Sequence, residues 1–402
     1  MKYWRGYLTA AIFAAITWAL MKMGETFTDL VDAIYPYITR TLQDMLATWS
    51  GTVDFCLWQV IVMLLVVLAL ATIVLMVVLR WNPIQWLGWI LAVCAGLFMV
   101  HTAIYGLNQY AGPLADDIRL DVSEYSTTEL ADAAEYYRDK ANTLAASMER
   151  DASGNPVYSS FEELADQAGD GFDHLVYDRF YSIFAGNTLP VKKLGWADMY
   201  TSMGITGVTM GVTGEAAVNP QIPAVGLPFT MCHEMAHRMC IAVERDANFA
   251  GFLAARYNSS KEFQYSAYFM AYRYCYNALA KLNTSSANAL AKEISAGVND
   301  YLRHDMKTYN DFFTTNRNQT ATQVADKAND TYIKVSGDDR GVQSYGDVCD
   351  LLVNWYLQEM VLPYEVEDEE DKFDPFDEDY VFATLPETTD ETTGETTDGE
   401  DD

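Results

Sequence analysis

Two long stretches without a single Lys, Arg, Asp or Glu, residues 55–79 and 81–115, constrain this chain more than any other feature; only Arg80 separates them. Most of their positions are Leu, Ile, Val, Ala, Met, Trp or Phe. Crossing a bilayer takes about 20 consecutive apolar residues, because each backbone group must be hydrogen-bonded within the segment across roughly 30 Å of hydrocarbon. Residues 57–79 and 84–107 satisfy this, and both are predicted to span. Trp81, Trp86 and Trp89 gather where the second run begins, a depth that amphipathic rings favour. A third span is predicted over 7–21, behind Lys2 and Arg5. A secretory signal peptide starts in the same way, but Leu20, Met21, Lys22 and Met23 supply no small-residue cleavage site, which favours an uncleaved span.

The charges in the short loops set the orientation. Lys2, Arg5 and Arg80 mark the cytoplasmic ends, while residues 25–54 are acidic apart from Arg40. Three spans then place everything from about residue 108 outside the cytoplasm. The chain therefore divides into a membrane anchor (1–107), an extracytoplasmic domain (108–364) and a tail (365–402). The tail holds 18 acidic residues against Lys372 and contributes −17 of the net −30, so it is expected to be disordered. Such an acidic chain lacks the clustered Lys and Arg that a nucleic-acid phosphate backbone requires. The six cysteines show no CxxC metal pattern.

Within the domain, helical spacing is expected at 126–148, where Ser126, Thr127 or Thr128 can cap, and at 161–168, 172–184, 263–281, 286–307, 321–332 and 344–359. Residues 200–218 differ: Gly204, Gly207, Gly211 and Gly214 recur among Thr and Val, a pattern of short strands and turns. Pro228 then opens a helix. The expected fold is mainly α, with transmembrane helices followed by an α-rich domain carrying a small β element.

The helix opened by Pro228 contains His233, Glu234 and His237, an H-E-x-x-H sequence. The i, i+4 spacing sets both imidazoles on one face, where they can share one zinc ion, and puts Glu234 beside the metal to hold and deprotonate a zinc-bound water. A catalytic zinc takes a third protein ligand, for which Glu244 is the candidate. On an unbroken helix Glu244 would lie about 10 Å beyond His237, so the helix must turn between Arg238 and Val243. Asn248, one turn later, could accept a ring N–H from a ligand histidine, with Asp246 as its rival. Tyr265 and Tyr268 are candidates for stabilising an oxyanion, and the "GITGVTMGV" stretch is either a substrate-pairing edge strand or a structural hairpin packed on the motif helix.

The stretches "AIYPYITR" (33–40), "YGLNQYAGPLADDIRL" (105–120), "PVKKL" (190–194), "MGITG" (203–207), "GEAAVN" (214–219), "LPFTMCHEMAH" (227–237), "ERDANF" (244–249) and "FQYSAY" (263–268) carry a family resemblance. Through them residues 30–280 resemble an uncharacterised bacterial family, domain of unknown function 3810, whose members resemble membrane-anchored zinc peptidases. The resemblance implies a zincin-like fold and a bound metal, and its E-x-x-A-N element is matched by Glu244, Ala247 and Asn248. This chain departs at Cys240, where a turn-easing Gly is expected. The expectation is thus a multi-pass membrane metallopeptidase holding one Zn2+, acting on peptide or protein substrates outside the cytoplasm. An intramembrane protease is disfavoured, since Arg238, Glu244, Arg245 and Asp246 crowd the motif. The rival from another class is a metal-stabilised membrane scaffold or surface sensor without catalysis.

Overall fold

The computed structural model describes residues 4–336 and 348–361; the acidic tail lies outside the described residues, as do positions 344–347 of the expected 344–359 helix. The chain divides into two units, Met1–Leu357, which carries the sheet and the α-helices, and Gln358–Asp402. It opens with α1 (Arg5–Thr26), α2 (Thr28–Ser50), α3 (Leu57–Val78) and α4 (Pro83–Ile104). Of these α1, α3 and α4 are long and apolar enough to cross a membrane. The helix α2 was not legible as an element in the sequence, where its Asp and Thr residues read as a loop.

Small residues bring α1 and α4 together. A Cβ on Gly6 would stand 2.5 Å from the carbonyl carbon of Gly88, and one on Gly24 would stand 2.7 Å from the Tyr110 ring. The start of α1 thus meets the start of α4, and its end meets the chain just beyond α4, so the two run parallel. Arg80 occupies the turn joining α3 to α4, where its φ of 53° closes the reversal.

The helices α5 (Leu114–Asp117), α6 (Thr127–Ser147), α7 (Phe161–Gln167) and α8 (Asp170–Tyr177) lead to a small sheet. Ser126 caps α6 in a reciprocal box with Glu129, which starts it where the sequence indicates. The strands β1 (Lys192–Lys193), β2 (Gly207–Met210) and β3 (Glu215–Val218) follow, with α9 (Ala197–Met203) between the first two. Their order is β1-β3-β2, so β2 is an edge; it pairs antiparallel to β3 with Thr209 opposite Ala216. The helices α10 (Leu227–Arg238), α11 (Glu244–Tyr257) and α12 (Lys261–Lys281) form the core, and α13 (Ser285–Ala296), α14 (Asp300–Asn316), α15 (Gln319–Ser336) and α16 (Val348–Tyr356) complete the domain. The single helix expected over 286–307 is two: Asn299 accepts from Leu302 N and caps α14 afresh, so the chain breaks at Gly297.

One buried carboxylate joins the sheet to α3, a helix long and apolar enough to cross a membrane. Glu215, at the start of β3, accepts from Leu57 N at 2.7 Å and Trp58 N at 2.8 Å, capping α3, and pairs with Lys192 at 2.8 Å. The Lys192 ammonium also donates to the Ser50 and Phe55 carbonyls. Glu215→Ala would bury an unpaired ammonium and orphan two helix N–H groups, a defect that costs about 3–5 kcal/mol. Thermal unfolding of the detergent-solubilised full chain is expected to show that loss; a shift worth under about 1 kcal/mol would mean that the cap contributes little.

Candidate metal centre

The helix α10 begins at Leu227 with Pro228 in its first turn, where the missing N–H has no helical partner to lose. His233, Glu234 and His237 are all buried. The two imidazoles share one face and meet edge to face, with ring centroids 4.6 Å apart and planes at 84°, and Phe229 lies against His233 one turn earlier.

The helix then stops, as the placement of Glu244 requires. Cys240 N donates to His237 O at 2.9 Å and Ile241 N to Ala236 O at 3.1 Å, the paired bonds of a Schellman termination. Such a turn needs a left-handed residue, and Cys240 takes that conformation with φ 71°. The departure from glycine noted in the sequence therefore changes the residue and keeps the turn, at a strain of about 1–2 kcal/mol. The termination also presents the Ile241 carbonyl, 2.8 Å from His237 Nδ1. A carbonyl can only accept, so Nδ1 carries a proton and Nε2 is the nitrogen left to face Glu244 and to ligate a metal once its own proton is displaced.

After this turn α11 starts at Glu244 and runs back beside α10, so closely at Gly251 that a Cβ there would come within 3.1 Å of His233 N. The result is convergence: Glu244 Oε2 stands 3.5 Å from His233 Nε2 and 3.5 Å from His237 Nε2. That oxygen is buried and makes no hydrogen bond among the described residues. The three side chains form a group whose ligand atoms all lie within 4.8 Å of one another.

The arrangement fits a zinc ion on geometry and on donor chemistry. Bonds of 2.0–2.1 Å in a tetrahedral shell separate neighbouring ligand atoms by about 3.3 Å, close to the spacing found here. Electrostatics agree. Burial opposes charge on both partners, yet Glu244 drives His237 up to about 9, and the two histidines hold the Glu244 carboxyl far below its usual range. Two imidazoles, that of His237 proton-loaded beside Glu244, and one carboxylate at such distances form a cage that a divalent cation can satisfy by displacing a proton.

Glu234 points from the same helix toward the sheet. Thr209 on edge strand β2 donates to Glu234 Oε2 at 2.7 Å, and Gly207 gives it room: a Cβ there would come 2.2 Å from Glu234 Oε1. Burial pushes the Glu234 carboxyl up, against the pull of the two histidines.

The structure revises the outer residues. Asn248 is buried on α11, but its Oδ1 accepts from the Tyr274 hydroxyl at 3.2 Å, and the bond expected of it to a ring N–H is supplied for His237 by the Ile241 carbonyl. Asp246 accepts from Leu114 N and Arg245. Tyr265 is a correction: its hydroxyl is bonded to Asp305, which pairs with Arg150, so it is committed to a buried cluster of its own. Tyr268 accepts from Arg256. Sequence reasoning missed Thr209, Gly207, the Ile241 carbonyl and Tyr274. Gly207 lies within the quoted "MGITG" stretch, and nothing local marks Tyr274.

No curated protein and no solved structure is significantly similar to this chain. The family described as protein of unknown function (DUF3810) matches residues 31–353, and the match takes in most of α2, the sheet and His233, His237 and Glu244. The chain belongs to that family.

Proposed function

We propose that this protein is a membrane-anchored, zinc-dependent metallopeptidase that cleaves peptide bonds outside the cytoplasm. The observation that carries this reading is the buried Glu244 oxygen, equidistant from two histidine nitrogens. Zinc held by His233, His237 and Glu244 would polarise a peptide carbonyl and lower the pKa of water. Glu234 Oε2 is held by Thr209, so Oε1 is the oxygen that takes a proton from the attacking water and returns it to the leaving amine. Its burial raises its basicity toward the range such a role demands at neutral pH. The unpaired side of β2 offers backbone groups to an extended substrate, alongside Thr209. The orientation rests on the sequence positions of Lys2, Arg5 and Arg80, of which Arg5 opens α1 and Arg80 lies between α3 and α4.

The test is cleavage of a fluorescent peptide library by the full chain in detergent, with and without chelator. Cleavage lost on chelation and restored by zinc supports a peptidase; stoichiometric zinc without cleavage supports the scaffold or sensor. Gly207→Ala is a finer probe. The added methyl displaces the Glu234 carboxylate while leaving the cage alone, and an error of about 1 Å in a catalytic group costs about 100-fold. Turnover is expected to fall by that factor with zinc content unchanged; full activity would show that Glu234 does not act from this position.

A further inference from the structure

The helix α2 is amphipathic the wrong way round for a soluble protein. Its polar and small residues face the protein: Thr39 bonds Asn108 at 3.1 Å, Gln43 donates to Gly211 O at 2.8 Å, and Ala47 meets Gly214. Its large apolar residues face outward, with Leu30 55 %, Ile38 61 %, Met45 66 % and Trp49 58 % exposed, joined by Ile34 and Tyr37. At 100° per residue these six fall within about 120° of arc, shared only by Thr41, Thr48 and, at its edge, the buried Val31, so the stripe carries no charge. Phe27 and Phe55, just beyond each end, are exposed as well. An uncharged apolar stripe of this length on a protein surface marks something that covers it.

Chain connectivity identifies the cover. Only Phe27 separates α2 from the membrane-crossing α1, and six residues separate it from the membrane-crossing α3. Both ends of α2 are thereby held at one bilayer surface. Its Asp29, Asp32, Arg40 and Asp44 keep it from being a span. A helix pinned at both ends to that surface, apolar on the side away from the protein and bearing Tyr37 and Trp49 there, matches the interfacial class.

We propose that α2 is an interfacial helix that lies along the bilayer surface with Leu30, Ile34, Tyr37, Ile38, Met45 and Trp49 in the lipid. It seats the domain directly on the membrane. The Gln43 contact to Gly211 places the end of β2, two residues from Thr209, against the membrane-embedded helix, so the candidate site stands one short strand above the lipid. This seating does not depend on what chemistry the site performs.

The test is photo-crosslinking of the full chain reconstituted in phosphatidylcholine vesicles, with benzoylphenylalanine replacing Ile38, Met45, Val66 or Val324 in turn. Val66 in α3 is the lipid-exposed reference, and Val324, exposed on α15, is the aqueous one. Ile38 and Met45 are expected to give phospholipid adducts at the Val66 level and at least about ten-fold above Val324. Adducts of twice the chain mass at Ile38 and Met45 would make this face a contact between copies. Lipid adducts at the Val324 level would place it in water, and either result overturns the proposal.

Discussion

Glu234→Gln is expected to lower peptide turnover by about 1,000-fold while zinc stays bound. The amide keeps the shape of the side chain and can still meet Thr209, but it cannot accept the proton from water, and positioned general bases are worth about 10²–10⁴ in rate. Glu234 is no part of the cage formed by His233, His237 and Glu244, so metal content has no reason to change. Single-turnover rates with metal analysis on the same sample separate the two effects. Near wild-type turnover would remove Glu234 from the chemistry; loss of metal would move it into the cage.

Glu244→Ala is expected to weaken zinc binding by at least about 1,000-fold. It removes one of three protein donors and the only anionic one, leaving two imidazoles that a divalent cation satisfies poorly. Glu244→Asp is the informative partner. Its carboxylate is one methylene shorter, so with both nitrogens already 3.5 Å away it should lose a large part of the affinity despite an unchanged charge. Competition with a chromophoric chelator measures both. Equal affinity in all three forms would show that Glu244 is not a ligand and that the pair of histidines acts otherwise.

Much of this was legible because periodicity and spacing are local. The apolar runs located α3 and α4 within a few residues, and the i, i+4 histidines needed only a helix to share a face. Glu244 can reach the histidines only if the chain turns between Arg238 and Val243, and it breaks there, between the end of α10 and the start of α11. The physical means were not legible: a left-handed Cys240 carries a turn for which a glycine was expected. Hidden for a different reason were Thr209 and Gly207, which meet Glu234 only because the edge strand folds back on α10, a contact across 25 residues that no periodicity encodes. Tyr265 failed as a candidate because its neighbourhood is set by Asp305, 40 positions away. The helix α2 escaped notice because its apolar stripe faces away from the protein and its interior face is polar, the reverse of the pattern by which soluble helices are recognised.

The claim on which the rest depends is that His233, His237 and Glu244 hold one metal ion. Elemental analysis of the purified full chain in detergent, wild type beside His237→Ala, tests it most directly. About one zinc per wild-type chain, absent from a mutant that still unfolds cooperatively, is the predicted result. A well-folded wild type that takes up no zinc when zinc is supplied would contradict a metal site, and the convergence on Glu244 would then be a buried ion pair and nothing more.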